Sequence, residues 1–309
     1  MKISFIIITN GTKLDKIQNQ IDSITANFTS KKNDEDYEVI ISGNVAKIKD
    51  SLIFKDKSKT IFVDNKEAAE TGNLSKMRND ACACSNMDYL VISDDDIIFS
   101  NNWLSALKKT GDFDIVVPRV FCPDGTRFWD YSCYLSPTKG HIILNPEEED
   151  DYIYMSGGTG WVMKKEVWNE FKWDESYTIY SSVKGIQDYK NGNHNEDTEY
   201  SMRCRSKYKI KHNPNLHNTH DDSKYTSIGR VVRKRNFQDS QCWTKVLSKF
   251  PAKVLIDLSD ILLKYGIEAE AVDLLRETSE KDFASKLKLD SIQKAFGGEL
   301  KGSNFKINE

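Results

Sequence analysis

Three consecutive aspartates, Asp94, Asp95 and Asp96, are the residues of this sequence whose type and spacing are best suited to chemistry. They directly follow the apolar stretch YLVIS at 89–93, which predicts a buried strand. In open α/β sheets, ligands bind beyond the carboxyl ends of the strands. Two carboxylates one residue apart at such a strand end can face a single hard cation. The expected cation is Mg²⁺ or Mn²⁺, which would also bind phosphate oxygens of a ligand. A solvated acidic turn is the plain alternative.

A second acidic cluster, NEDTE, contains Glu196 and Asp197 and precedes a segment of helical character. Acidic residues at a helix start often serve only the helix dipole, and Asn195 could act as the cap. The functional interpretation is a general base, in which one carboxylate points into a cleft and accepts a proton.

Two further features could contact a ligand. His217 and His220 are candidate metal ligands, although a HxxH spacing outside a helix is a weak motif. Gly157 and Gly158 belong to the sequence SGGTG, where the absence of side chains lets a backbone approach a ligand closely. A simple turn explains the glycine pair equally well.

Lys76 and Arg78 stand early in a predicted helix that contains GNLSKMRN. Backbone N–H groups at a helix start and cationic side chains both suit phosphate, while solvation at the surface is the alternative. Five aromatic residues could stack on sugar rings, although most of them also suit a core: Trp129, Tyr131, Tyr134, Trp161 and Trp173.

The elements that must position these residues have an α/β pattern. Three short β-branched runs, apolar on both faces, predict central strands of a parallel sheet at 3–9, 37–42 and 89–93. A further strand is predicted at 60–64, and helices are predicted at 14–27 and 73–87. Strands that alternate with helices predict an α/β fold with right-handed crossovers.

The second half of the chain changes character. Residues 114–144 are aromatic and rich in turn residues, which favours antiparallel strands, and WVMKKEVWNEF at 161–171 predicts an amphipathic helix. From about 236 onward the apolar residues have helical spacing. We therefore predict a domain at 1–235 and a helical C-terminal extension at 236–309.

The overall composition excludes several classes of protein. There are 44 Lys and Arg against 47 Asp and Glu among 309 residues, a net charge of −3, which argues against a nucleic-acid binder with a basic surface. No apolar run approaches the ~20 residues of a transmembrane helix. Six cysteines without a CxxC pair favour reduced thiols and a cytoplasmic location. The helical tail is a candidate for homo-oligomer contacts or for membrane association, and its sequence does not distinguish between these two roles.

The order of these motifs resembles the family-2 glycosyltransferases with the GT-A fold. Over residues 1–225 the order is a strand ending in TN, a second strand, GNLSKMRN, a strand followed by DDD, SGGTG, FKWDES, NEDTEYSMR, and a Pro-x₅-His stretch that ends at His220. The resemblance implies a Rossmann-like, mixed and mostly parallel sheet flanked by helices. It also implies transfer of a sugar from a nucleotide-diphosphate sugar to a hydroxyl of a carbohydrate or other acceptor, with Mn²⁺ or Mg²⁺ as the cofactor.

The resemblance also implies roles for single residues. Asp94 and Asp96 match the outer positions of the D-x-D motif that holds the metal, and His220 matches a histidine that touches the metal or the diphosphate. Glu196 and Asp197 match an acidic pair whose aspartate is the expected base of an inverting enzyme. The residues expected at the donor are Thr9, Asn10, Ser42, Asp64, Lys76, Arg78, Asp95, Gly157 and Gly158.

The sequence departs from the family pattern at two points. The second strand usually ends in an acidic residue that reads the base or ribose, but here it ends in SGN at 42–44, and Asp64 is the candidate substitute. Asp95 crowds the D-x-D motif, so the choice of the two metal-binding carboxylates stays open. The basic stretch at 221–236 could be a lid over a diphosphate or a solvated linker.

Three other functions compete with an inverting transferase. A retaining transferase shares the fold, the D-x-D motif and the histidine. A sugar nucleotidyltransferase typically needs a glycine-rich loop with an arginine after the first strand, whereas this loop reads TNGTKLDK. The third alternative is a non-catalytic carbohydrate-binding protein, which the acidic residues at both positions disfavour.

Overall fold

The computed structural model describes residues 1–29, 35–125, 128, 133–136, 140–143, 158–176, 196–205 and 207–221. At 133–136, 140–143 and a few positions near 200, only the backbone is described. Gly157 and Asn195 lie outside the described residues, as do Trp129 and Tyr131. The predicted lid beyond 221 and the predicted helical extension at 236–309 lie outside them as well.

Ten strands form within the described residues. They are β1 (Lys2–Thr9), β2 (Asp36–Gly43), β3 (Thr60–Asp64), β4 (Tyr89–Asp94), β5 (Ile97–Phe99), β6 (Ile115–Phe121), β7 (Cys133–Ser136), β8 (Gly140–Ile143), β9 (Thr159–Lys164) and β10 (Ile210–His220). The helices are α1 (Leu14–Asn27), α2 (Lys66–Thr71), α3 (Leu74–Ala83), α4 (Trp103–Lys108), α5 (Lys165–Glu170) and α6 (Glu196–Arg205). None of these helices is long and apolar enough to pass through a lipid bilayer.

Eight of the strands form one mixed sheet in the order β3-β2-β1-β4-β9-β6-β10-β5, while β7 and β8 pair separately. The pairs β3–β2, β2–β1, β1–β4 and β6–β10 are parallel, and the pairs that involve β9 or β5 are antiparallel. The predicted α/β class, with a mostly parallel sheet flanked by helices, is therefore confirmed.

The sheet is covered on both faces, as its apolar strands require. On one face Phe5 packs with Ile17 of α1 and Trp103 of α4, and its ring lies 5.5 Å from the Trp103 ring. On the other face Ile6 belongs to a cluster with Cys82 of α3 and with residues of α5 and α6. Burial on both faces explains why the residues of β1 after Lys2 are all apolar or small.

The register of the parallel strands brings their carboxyl ends together. Ile8 of β1 pairs with Asp94 of β4, and Thr9 pairs with Gly43 of β2. Gly43 in turn pairs with Asp64 of β3. The last residues of four neighbouring strands therefore form one edge of the sheet.

Two later segments reach the same edge. The antiparallel strand β9 begins beside β4, where Ser93 pairs with Thr159 after an irregularity in the register. Strand β10 ends next to the aspartate triplet, because the N–H of Asp221 donates a hydrogen bond of 2.7 Å to the carbonyl of Asp96. The turn after β4 is thus bordered by β1, β9 and the end of β10.

One helix prediction was wrong in its first half. Residues 159–164 form β9 between β4 and β6, and only Lys165–Glu170 are helical. Trp161, Val162 and Met163 are all fully buried, so three consecutive side chains find apolar surroundings on both faces of the sheet. A central strand satisfies such a run, whereas a half-exposed helix does not.

Candidate active site

Asp95 is held from two sides by β1 and the loop that follows it. The Thr9 hydroxyl donates a hydrogen bond of 2.7 Å to Oδ2 of Asp95, and Nζ of Lys13 lies 3.3 Å from Oδ1. Burial raises the pKa of Asp95, while Lys13 and the Thr9 hydrogen bond oppose that shift. Both oxygens of Asp95 are engaged by the protein itself.

The two outer aspartates differ from Asp95. Asp94 and Asp96 each keep a buried Oδ1 atom without a hydrogen bond to the described residues. Oδ2 of Asp96 accepts a hydrogen bond of 2.6 Å from Lys13. Burial raises the pKa of Asp94, Arg78 opposes that shift, and the charges of Asp96 and Asp95 add to it. Because buried polar atoms rarely stay unpaired, Asp94 and Asp96 are the members of the triplet suited to an incoming cation.

The donor atoms fit a hard divalent cation shared with a ligand. Within the described ranges, no three His, Cys, Asp or Glu side chains are grouped closely enough to hold a metal by themselves. Mg²⁺ usually binds through one or two carboxylates and completes its shell with phosphate oxygens and water. Two carboxylate oxygens without a hydrogen bond in the described residues could supply the protein's share of such a site.

His220 lies beside this pair. Its Nε2 atom is 3.5 Å from Oδ1 of Asp96, and its ring stacks on Phe128 with centroids 4.1 Å apart. His217 is three residues earlier in β10, so its side chain projects from the opposite face of the strand. Its Nε2 atom contacts the carbonyl of Pro214 at 2.7 Å, and the two histidines do not form a pair of ligands.

Arg78 joins the two acidic clusters that the sequence separates by a hundred residues. Its side chain is fully buried, with Nη1 3.0 Å from Oε1 of Glu196 and Nη2 3.8 Å from Oδ1 of Asp94. Burial opposes its charge, but Glu196, Asp94 and Asp197 together raise the pKa of Arg78 above its ordinary value. The structure therefore brings the triplet and the acidic pair to the same place.

The two residues of the acidic pair have different environments. Glu196 is 6% exposed, and Asp197 is half-buried at the first turn of α6. Burial and the charge of Asp197 raise the pKa of Glu196 to about 7, and Arg78 opposes this shift. Asp197 is thus the more accessible carboxylate, and Glu196 is the one held by Arg78.

Gly158 lies directly against Asp94. The N–H of Asp94 donates a hydrogen bond of 2.7 Å to the carbonyl of Gly158. A Cβ atom on Gly158 would lie 2.0 Å from Oδ1 and 2.5 Å from the backbone N of Asp94, and the backbone atom cannot rotate away. Glycine is therefore required here so that the backbone of β9 can approach the carboxylate.

Asn79 was missed by the sequence reasoning, although it follows Arg78 directly. Its Nδ2 donates to the Trp173 carbonyl and to Oε1 of Glu175, both at 2.9 Å. Its Oδ1 accepts from the Trp173 N–H at 3.1 Å and from Nε1 of Trp168 at 3.2 Å. The motifs GNLSKMRN and FKWDES are therefore joined through Asn79. The one feature of the sequence that could have indicated this role is an Asn inside a predicted helix, where Asn is intrinsically unfavourable.

Lys76 has a different position from Arg78. It pairs with Asp80 one turn later in α3, with 2.9 Å between Nζ and Oδ2. That hydrogen bond raises the pKa of Lys76. Its side chain is 44% exposed and engaged along the helix.

The other donor residues expected from the sequence lie at the ends of β1, β2 and β3. Ser42 is fully buried and its hydroxyl accepts a hydrogen bond of 2.9 Å from Asn65, a residue that the sequence reasoning did not select. Asn10 is exposed, and its Oδ1 accepts from the Thr12 N–H at 3.0 Å. Asp64 is exposed at the end of β3. Asn10 and Asp64 are thus more accessible than Ser42.

The aromatic residues proposed for sugar stacking belong to the core where their side chains are described. Trp161 and Trp173 are both buried, and Trp173 stacks on Tyr200 of α6 with centroids 4.0 Å apart. Tyr134 lies in β7, of which only the backbone is described. Trp161 and Trp173 pack against Tyr200 and so hold α6 against the sheet.

No protein family model and no curated protein matches this chain. Among solved structures, it is similar to S. aureus TarS, with a TM-score of 0.49 and 14% identity over 90% of this chain and 42% of that one. The structure of TarS 1–349 gives a TM-score of 0.48 and 14% identity over 91% and 73%. The structure of TarS 1–349 in complex with UDP gives a TM-score of 0.48 and 14% identity, over 96% of this chain and 78% of that one. The chain thus spans less than half the length of the first of these structures.

Proposed function

We propose that this chain is a metal-dependent glycosyltransferase that moves a sugar from a nucleotide-diphosphate sugar to an acceptor hydroxyl. The observation that carries the proposal is the convergence of Asp94 and Glu196 on the buried guanidinium of Arg78. It supports a single site in which Asp94 and Asp96 offer carboxylate oxygens without hydrogen bonds to a cation and Asp197 offers a more accessible carboxylate. The motif order that resembles family-2 GT-A glycosyltransferases agrees with this reaction.

Asp94 and Asp96 would hold Mg²⁺ or Mn²⁺ on the donor diphosphate, with His220 beside them. When bound, such a cation supplies compensation for the negative charge that develops on the leaving diphosphate. Thr9 and Lys13 fix Asp95 and so shape the turn that presents its two neighbours. Asn10 and Asp64, both exposed at strand ends, would contact the nucleoside.

Asp197 would act as the general base. It accepts the proton of the acceptor hydroxyl while the oxygen bonds to the anomeric carbon and the diphosphate leaves from the opposite face, which inverts the anomeric configuration. A positioned general base increases the rate by a factor of about 10²–10⁴. Glu196 stays bonded to Arg78 and keeps the start of α6 in place.

A donor screen tests this proposal. A panel of UDP-, GDP-, CDP- and dTDP-sugars is added to the protein with and without Mn²⁺, and thermal unfolding is followed. A donor at ~100 times its dissociation constant stabilises the protein by about 2.7 kcal/mol. The bound donor is then assayed for release of nucleoside diphosphate, and the anomer of any product is assigned by NMR.

We expect one class of donor to give a Mn²⁺-dependent shift that the Asp94→Asn/Asp96→Asn double variant loses. Asp22→Asn is the matched control, because Asp22 is an exposed carboxylate of α1 that bonds only within its own helix in the described contacts. An absence of both Mn²⁺-dependent binding and turnover for every donor would contradict the proposal.

A further inference from the structure

We propose that Arg78 is a positioning residue for the transfer step, which holds Glu196 and thereby fixes Asp197 relative to Asp94. This inference rests on the proposed function. It replaces the sequence-based expectation that Arg78 contacts the donor directly. The residues concerned lie on α3, β4 and α6.

Burial separates Arg78 from any ligand in the cleft. Its side chain has no exposed surface, and its hydrogen bond within the described residues is the one from Nη1 to Glu196. Nη2 faces Oδ1 of Asp94 at 3.8 Å, beyond hydrogen-bond distance. Arg78 therefore bonds to one acidic cluster and faces the other as a counter-charge.

The charges around Arg78 explain why its loss would disturb Asp197. One guanidinium balances three carboxylates, those of Asp94, Glu196 and Asp197. Without it, the Glu196 carboxyl would lose its hydrogen-bond donor and would remain buried beside Asp197, where burial and that like charge favour its protonated form. The first turn of α6 would then no longer be fixed to α3 through this contact.

The surrounding packing makes the arrangement rigid. The guanidinium carbon of Arg78 lies 5.9 Å from the centre of the Trp173 ring, and that ring stacks on Tyr200 of α6. Asn79, the next residue of α3, bonds the backbone of Trp173 on both sides. Arg78 and the start of α6 are therefore held by a common set of contacts, as a preorganised site requires.

The experiment compares Arg78→Gln, Arg78→Lys, Glu196→Gln and the Arg78→Gln/Glu196→Gln double variant. The readouts are the rate of nucleoside-diphosphate release from the donor returned by the screen, its KM, and donor affinity by calorimetry with Mn²⁺. Lys66→Gln is the matched control, since Lys66 is an exposed cation of α2 that pairs with Glu70 one turn later.

We expect Arg78→Gln to lower kcat about 10²-fold, the effect of a small misplacement of a catalytic group, while donor affinity with Mn²⁺ is not weakened, because the lost cation faced Asp94. Arg78→Lys should have a kcat between those of Arg78→Gln and wild type, because Lys keeps the positive charge but lacks the planar N–H donors of the guanidinium. Glu196→Gln should resemble Arg78→Gln, and the double variant should be no slower than the slower single variant, because both substitutions break the same contact.

If Arg78→Gln fails to fold, Arg78→Lys and Glu196→Gln still test the inference, since Lys keeps the positive charge at position 78 and Gln is nearly the same size as Glu. A folded Arg78→Gln variant with the wild-type kcat, a loss of donor affinity at unchanged kcat, or rate losses that multiply in the double variant would each overturn it. A wild-type protein that turns over no donor is a different result, because it rejects the proposed function itself.

Discussion

Nζ of Lys13 lies 2.6 Å from Oδ2 of Asp96 and 3.3 Å from Oδ1 of Asp95, so one cationic side chain pairs with two members of the aspartate triplet. Burial of Lys13 opposes its charge, but the two aspartates outweigh burial and raise the pKa of Lys13 above its ordinary value. The two aspartates therefore favour the charged form of Lys13.

This ion pair predicts that Lys13 weakens metal binding in the absence of donor. Lys13→Met removes a positive charge close to Asp96, so Mn²⁺ affinity should rise on the order of tenfold. The affinity is measured by calorimetry or by the electron paramagnetic resonance signal of free Mn²⁺. Lys13→Arg keeps the charge and should show the wild-type affinity. Equal affinities in all three proteins would contradict the prediction.

The outer and central aspartates should behave differently when substituted. Asp95→Ala removes the carboxylate that accepts from the Thr9 hydroxyl and pairs with Lys13, which then keeps only Asp96. The free energy of unfolding should therefore fall by about 1–3 kcal/mol. Its Mn²⁺ binding should be retained, whereas Asp96→Asn should lose it. Denaturant unfolding and Mn²⁺ titration of the two variants check this, and a reversed order would show that Asp95 is a metal ligand.

Asp197→Asn should keep donor and Mn²⁺ affinity and lose about 10²–10⁴ in turnover, because an amide cannot accept the proton. Donor affinity is measured by calorimetry and turnover by release of nucleoside diphosphate. Glu166→Gln, at the first turn of α5, serves as a control for the loss of one acidic residue near a helix start. Unimpaired turnover of Asp197→Asn would remove this residue from the mechanism.

Gly158→Ala should abolish Mn²⁺-dependent donor binding, because the added Cβ would occupy the space of the Asp94 carboxylate. Gly111→Ala is the matched control. Gly111 has φ of +73°, so alanine costs about 1 kcal/mol of stability there, but no atom lies within 4 Å of the added Cβ. Donor binding by Gly158→Ala at the wild-type affinity would exclude the close approach described above.

The raised pKa of Glu196 predicts a pH dependence of stability. Arg78 and Asp197 are the charged groups that face it in the described contacts. A carboxyl with an ordinary pKa of 4.5 that rises to about 7 on folding contributes stability below pH 4.5, and this contribution is lost as the pH rises toward 7. Glu196→Gln removes it, so the melting temperature of the variant relative to wild type should increase between pH 4.5 and 7. A constant difference would show that Glu196 has an ordinary pKa in the folded protein.

The sequence predicts the parallel half of the sheet well and the antiparallel half poorly. β1 to β4 are apolar on both faces and bounded by turn residues, so local pattern suffices for them. β9 carries a run that local pattern cannot distinguish from a helix, and its burial between β4 and β6 decides its conformation. β10 reads IKHNPNLHNTH, which is polar, and it forms a strand because β6 pairs with it along most of its length.

The same limit applies to the site. Asp94, Asp96 and Glu196 were selected because acidic residues at strand ends and helix starts are visible in the sequence. The partners of these residues were not visible, because Arg78 and Glu196 are 118 positions apart and Lys13 and Asp96 are 83 apart. Their contacts depend on the register of the sheet and on the docking of α6, which no local spacing encodes.

Arg78 and Asn79 are consecutive in α3, yet one bonds α6 and the other bonds the segment that contains Trp173. Each residue turns an α-helix by about 100°, so the two side chains diverge by a fixed rotation. An insertion or deletion of one residue between the Asn73 cap and Arg78 would rotate both side chains away from their partners at once. The length of that short helical interval should therefore be invariant in functional variants of this protein, even where its surface residues change.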